Sequence, residues 1–181
     1  LGENNRNVLL RMEQFRKSEN EEQSLDIAKS FILAKIYNTR WVLERAKRDH
    51  GMRLDVERLQ SSIGQLIEAM KVAESSVSLD ELRGVEGSAA KVYFSVFDEL
   101  ILREKKDFYF VSRSRRPPLD RMNALMSFIY SLLTNDCKAA LQGNGLDPYI
   151  GFMHVERPGR PALALDLMEE LRPVLADRFA L

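Results

Sequence analysis

The chain has 181 residues, 45% hydrophobic and 30% charged, a composition able to bury a core and unlike that of a disordered segment. Lys plus Arg and Asp plus Glu balance at 27 each, which excludes a globally basic nucleic-acid binder and leaves only a local patch for such contacts. A lone cysteine, Cys137, excludes an intramolecular disulfide and a multi-cysteine zinc site, and no run approaches the ~18 apolar residues of a membrane span.

The first half of the chain lacks breakers, since all six prolines lie after residue 116. A short helical opening is followed by a polar stretch at Lys17–Gln23, expected to separate it from a long helix. In that helix Ile27, Phe31, Ala34 and Trp41 form one apolar stripe, and His50-Gly51 ends it. Leu59, Ile63, Leu66, Ile67 and Met70 mark a second amphipathic helix that stops near Ser75-Ser76. Ser78, with Glu81 three residues on, has the form of a capping box, opening a helix that is expected to run to about Leu102. The charged segment 103–118 closes on Pro117-Pro118, which cannot continue a helix. A further helix passes through Met122, Met126, Ile129 and Leu133 to Gly143-Asn144-Gly145. Leu146–Arg160 reads as loop or short extended chain, and Pro161 or Ala162 begins a last helix. No alternating strand pattern competes, so the expectation is an all-α fold of about six helices, one domain over residues 1–181. With Leu rather than Met at position 1 and an uncapped end at Leu181, the chain reads as a piece of a longer protein.

Four features carry chemical interest. Glu86 shares a helix face with Leu82, Ala89, Ala90 and Tyr93, and an ionised carboxylate on such a stripe needs an ion-pair partner or a metal. Gly84 and Gly87 flank it, each costing about 1 kcal/mol of helix propensity, which points to close approach by a backbone or a ligand. The alternative is a structural pair with a nearby arginine. His154 follows the apolar Tyr149–Met153 and is expected to be partly buried, as a hydrogen-bonded core residue or as a ligand; His50 stands among charges at a helix end. Asp166 and Glu169, at i and i+3, present two carboxylates on one helix face. Together these residues compose a mixed nitrogen and oxygen site for a divalent cation. Finally, Arg113, Arg115 and Arg116 stand in a basic stretch interleaved with Phe108, Tyr109 and Phe110, a candidate DNA surface with stacking rings; docking of the rings into the core is the bland reading.

Leu82-Arg83-Gly84-Val85-Glu86-Gly87 resembles the L-R-G-x-E-G signature of the CRISPR-associated adaptation endonucleases, the integrases that insert new spacers. The resemblance continues through the Pro-Pro loop Ser112–Asp120, Asn123-Ala124-Leu125 and Tyr130, then Gly145–Pro148, Gly151–His154 and Leu165–Pro173. These motifs fall in the family's order within residues 80–175, and Asn4–Leu10 is similar to the opening of its helical domain. The wording of the Pro-Pro loop is most similar to that of type I systems.

The resemblance implies a metal-dependent DNA endonuclease and integrase, with Glu86, His154 and Glu169 as ligands of one Mn²⁺ or Mg²⁺ and Asp166 in support. It implies transesterification of a DNA 3′ hydroxyl onto a repeat phosphodiester, or nuclease action when water attacks. It implies double-stranded DNA (spacer precursor and CRISPR repeat) and a small partner Cas nuclease homologue as partners, a homodimer in the full-length family, and a prokaryotic cytoplasmic setting with no membrane. The family's amino-terminal β-rich domain has no counterpart in the strand-free pattern of this chain. The reading from a different class is a non-catalytic helical DNA-binding or scaffolding module whose acids are structural.

Overall fold

The computed structural model describes residues 7–181. The expected all-α fold is observed: six α-helices of ten residues or more follow one another, with no strand among the described residues. They are α1 (Val8–Glu19), α2 (Glu21–His50), α3 (Val56–Ser75), α4 (Leu79–Ser95), α5 (Arg121–Gly143) and α6 (Ala162–Leu171). Of the expected opening Asn4–Leu10, residues 4–6 lie outside the described residues.

Local signals set the helix starts. Asn20, Asp55, Ser78 and Asp120 each accept a hydrogen bond from the backbone N–H three residues on, satisfying donors that no preceding turn can meet. At Ser78 the capping box is skewed by one residue, because the Glu81 carboxylate accepts from the Val77 N–H at 2.8 Å. The polar Lys17–Gln23 stretch separates the two helices as expected. Helix interrupts there only at Asn20, which ends α1 and caps α2.

Helix α2 is the central element, packing against α1, α3, α4 and α6. Its buried stripe is Ala28, Ile32, Ile36, Thr39 and Leu43, one position on from the stripe expected from Ile27, Phe31 and Ala34. Phe31 instead packs against a second apolar cluster made by Cys137 and Leu141 of α5 with Leu163, Ala164 and Met168 of α6. Trp41 is largely exposed, beneath the Arg48 guanidinium. A helix of this length has neighbours on several faces, so a single stripe does not describe it.

Two helix ends also differ from the pattern. Helix α4 stops at Ser95, not near Leu102, and a 3₁₀ turn follows over Phe97–Leu100. That tighter turn buries Phe97 completely, with Phe110 4.9 Å away and Tyr93 5.6 Å away between ring centroids. Beyond α6 the chain winds as a π-helix over Arg172–Asp177. Pro173 has no N–H to donate to the preceding turn, which favours a wider local winding there.

The long loop 144–161 is irregular but tied down. The buried Gln14 of α1 donates to the carbonyls of Asp147 and Ile150 and accepts from the Asp147 N–H. Arg83 of α4 donates to the Met153 carbonyl, and the first amides of α6 reach the Pro148 carbonyl. Gly151 is obligatory, since a Cβ there would lie 2.7 Å from the Ala162 Cβ and 2.9 Å from an Asp166 oxygen.

Gly84 and Gly87 contradict the backbone half of their expected role. A Cβ at either would meet no atom within 4 Å, so no neighbouring backbone requires them. Gly84→Ala and Gly87→Ala are each expected to stabilise the fold by about 1 kcal/mol, a rise of about 2–4 °C in thermal midpoint, read by scanning calorimetry.

Candidate functional site

Three of the residues singled out in the sequence converge at the junction of α2, α4 and α6. Glu86 projects from α4, Glu169 from α6, and His154 from the loop that α6 follows. The piece that sequence reasoning missed is Lys35 of α2. Its ammonium pairs with Glu86 Oε1 and lies 2.6 Å from Glu169 Oε2, linking the two carboxylates. The structural partner of Glu86 is therefore a lysine rather than the arginine weighed in the sequence.

Glu169 is nearly fully buried. Burial pushes its carboxyl up, but Lys35 and Arg172 together overcome that and hold it at about 2. Arg172, one turn along, reaches Glu169 Oε1 at 2.7 Å. Glu86 is less enclosed, with 23% of its side chain exposed, and it faces a cleft lined by Lys35, Tyr93, Arg113, Arg115, Tyr130, Arg172 and Asp177.

Asp166 organises the histidine. Its carboxylate is fully buried and accepts the backbone N–H groups of Phe152, Met153 and His154 at 2.7, 3.1 and 3.0 Å. The same carboxylate takes the His154 Nδ1 at 2.6 Å. With Nδ1 donating to Asp166, Nε2 is the nitrogen left to accept, and it stands 3.8 Å from Glu169 Oε1. The i, i+3 spacing of Asp166 and Glu169 thus separates two tasks: one acid builds the loop, the other faces the cleft. His50 is exposed at the end of α2, as expected.

Among the described residues no three His, Cys, Asp or Glu side chains stand close enough to hold one metal ion as they are placed. The donors nevertheless suit a divalent cation. Two carboxylates aim at one ammonium, a cation already in the position where opposite charge is needed, and an imidazole nitrogen with its partner fixed lies beside them.

The basic segment divides on inspection. Arg113 is half-buried and built in: it donates to the Ser114 carbonyl and Asn123 Oδ1 at 2.7 Å each, and its guanidinium stands over the Tyr130 ring. Burial lowers its pKa. Arg115 and Arg116 are exposed and make no ion pair among the described residues, and Arg115 lines the cleft that Glu86 faces. Of the three rings expected to stack on DNA, Phe110 is buried against Phe94 and Phe97, Phe108 packs on the core, and only Tyr109 is largely exposed. Buried Asn123 holds this loop on α5, accepting from Arg113 and the Ser114 N–H and donating to the Ser112 carbonyl and Asp120.

In the wall of the cleft Asp177 is buried and accepts from the Tyr130 hydroxyl at 2.6 Å. Burial raises its carboxyl to about 6, against the help of Tyr130, Tyr93 and Arg172. Burial likewise drives the Tyr93 and Tyr130 hydroxyls well above the ordinary phenol range. Arg172 and Arg113 both stand over the Tyr130 ring, at 5.1 and 5.2 Å. This network joins the basic loop to the carboxylates.

Comparison with known proteins places the site in context. The family model described as CRISPR associated protein Cas1 matches residues 1–181. A protein of Rhodospirillum rubrum named CRISPR-associated endonuclease Cas1 2 is 54% identical over 179 residues, 97% of this chain and 51% of that protein. Among solved structures, a casposase bound to integration product aligns with a TM-score of 0.80 at 28% identity, over 97% of this chain and 46% of that one. A chain of a partial Cas6-RT-Cas1–Cas2 complex aligns with a TM-score of 0.82 at 30% identity, over 98% of this chain and 50% of that one. The chain spans 66% of one curated relative it matches and 51% of another, and 31% of a relative that is an exonuclease–endonuclease fusion.

Two expected outcomes follow from this geometry. Asp166→Ala leaves three backbone N–H groups and the His154 Nδ1 without their acceptor, a loss of about 3–5 kcal/mol. Hydrogen exchange should then show the amides of Phe152, Met153 and His154 losing protection before the helices do. The raised Asp177 carboxyl contributes stability that is fully present below its unfolded value near 4 and is lost as pH rises through about 6. Melting curves from pH 4 to 7 should therefore flatten in Asp177→Asn relative to wild type.

Proposed function

The chain belongs to the CRISPR-associated Cas1 family, and from that premise we propose that it carries the catalytic helical part of a metal-dependent DNA endonuclease and integrase of spacer acquisition. The observation that carries the reading is the convergence of Glu86, Glu169 and His154 beside a cleft lined with arginines. Glu86 and Glu169 would hold Mn²⁺ or Mg²⁺ together with His154 Nε2. Bound there, the cation would supply Lewis acidity toward a phosphoryl oxygen and lower the pKa of an attacking hydroxyl.

The residues of the chain do the rest. Asp166 keeps the imidazole in one orientation and one hydrogen-bonding role. Arg115 and Arg116, both exposed, would neutralise backbone phosphates of duplex DNA, the spacer precursor or the repeat. Arg172 adds charge at the cleft, while Arg113 holds the loop that presents the other two. In the proposed transesterification a DNA 3′ hydroxyl forms a new bond to phosphorus as the original phosphorus–oxygen bond to the repeat strand breaks. The proton leaving the attacking hydroxyl balances the one gained by the departing 3′ oxygen. Water in place of the hydroxyl makes the same site a nuclease.

The names of the similar structures support the wider setting, since one includes an integration product and another a complex with Cas2. Duplex DNA and a small partner nuclease homologue are therefore the proposed partners, and the prokaryotic cytoplasm the proposed setting. No described helix is long and apolar enough to cross a membrane.

Glu86→Ala is expected to abolish Mn²⁺-dependent cleavage of duplex DNA in the full protein. Removing Glu86 also strips Lys35 of a partner, so no stabilisation of the metal-free fold is expected, contrary to what a simple buried acid implies. Retained metal-dependent cleavage would favour the non-catalytic reading of these acids. Replacing Arg115 and Arg116 together should lower the log–log salt slope of DNA binding by about 0.9 for each phosphate they neutralise, without changing the melting midpoint.

A further inference from the structure

Lys35 stands outside the motifs that carry the family resemblance. Its ammonium is directed at the two carboxylates, and among the described residues that nitrogen donates to no other group. The side chain is 13% exposed, so the charge is held in a largely enclosed place. Arg172, the other cation at Glu169, takes the opposite oxygen, Oε1. Glu86 and Glu169 thus face Lys35 and Arg172, and the charges of these four groups balance.

A dication added to that balanced set would leave two excess positive charges in an enclosed site, which is costly where solvent screening is weak. A resident cation must withdraw. Lys35 is the one that stands between Glu86 Oε1 and Glu169 Oε2, on a flexible stem of four methylenes, while Arg172 is additionally stacked on Tyr130. His154 Nε2, left as an acceptor, stands 3.8 Å from Glu169 Oε1, which is also an acceptor and is taken by Arg172, so no hydrogen bond joins the imidazole to that carboxylate.

We infer that Lys35 is the resident counter-ion of this site and that a divalent metal binds Glu86 and Glu169 by displacing its ammonium. The inference rests on the metal-site reading above and adds an internal competitor to it. By linkage, whatever the ammonium contributes to the metal-free fold is subtracted from metal affinity. Lys35 therefore holds the carboxylates together without metal and weakens the site for adventitious cations.

The test measures two quantities on wild type, Lys35→Met and Lys35→Gln, neither of them catalytic activity. The first is the thermal midpoint in chelator; the second is Mn²⁺ affinity by titration calorimetry. Both variants should melt lower than wild type without metal, because two carboxylates lose their shared partner. Both should bind Mn²⁺ more tightly, by roughly 5- to 150-fold, the usual range of such couplings. Opposite signs in the two measurements are the signature. A lysine that only supports the fold lowers the midpoint and leaves affinity unchanged, and one that helps seat the metal lowers both; either result overturns the inference. If a variant is unfolded in chelator, refolding on addition of Mn²⁺ supports displacement, and failure to refold overturns it. Absence of Mn²⁺ binding in wild type and variants alike would instead defeat the metal-site reading itself.

Discussion

One ammonium group ties three helices together. Lys35 of α2 meets Glu86 of α4 and Glu169 of α6, so the positions of these elements are coupled through charge as well as through apolar packing. A nearly buried carboxylate such as Glu169 is tolerable only with close cations, and Lys35 and Arg172 supply them. Helix α2 has to run through the middle of the molecule for Lys35 to reach both acids, which is why its length and its several buried faces matter. The proposed metal would meet the same electrostatic demand in place of the ammonium.

Around that centre, each neighbouring device sets one degree of freedom. Asp166 accepts three amides and the imidazole, converting an irregular loop into a fixed mount for His154. Gln14 and Arg83 fasten the same loop to α1 and α4. On the opposite side Asn123 gathers the 112–120 segment onto α5, and Tyr130 sits under Arg113 and Arg172 while donating to Asp177. The result is an acidic pair with basic side chains at its edge, the arrangement on which the proposed metal and phosphate contacts rest.

Much of the fold was legible in the sequence because its signals are local. The caps at Ser78 and the breaks at Gly51 and Pro117 depend on residues a few positions away, and they appear where the pattern places them. The α2 stripe was displaced by one position because different stretches of a 30-residue helix face different neighbours. The end of α4 was missed because burial of Phe97 by Phe110, remote in sequence, selects a tighter turn. Glu86, His154, Asp166 and Glu169 were identifiable as polar groups on apolar backgrounds. Lys35 was not, since a lysine on a long charged helix looks like ordinary surface until the chain brings acids to it from two distant helices, Glu86 lying 51 residues away and Glu169 further still. Arg113 shows the converse: in sequence it is equivalent to Arg115, and only the positions of Asn123 and Tyr130 assign it to the loop's own structure.

The central claim is that these carboxylates and the imidazole form a cation site whose present occupant is Lys35. A crystal structure of the protein grown with Mn²⁺, with anomalous scattering used to locate manganese, addresses it directly. The account predicts a manganese peak within coordination reach of Glu86, Glu169 and His154 Nε2, with the Lys35 ammonium withdrawn from between the acids. Saturating Mn²⁺ with no peak there, or a peak elsewhere while Lys35 keeps both carboxylates, would contradict it.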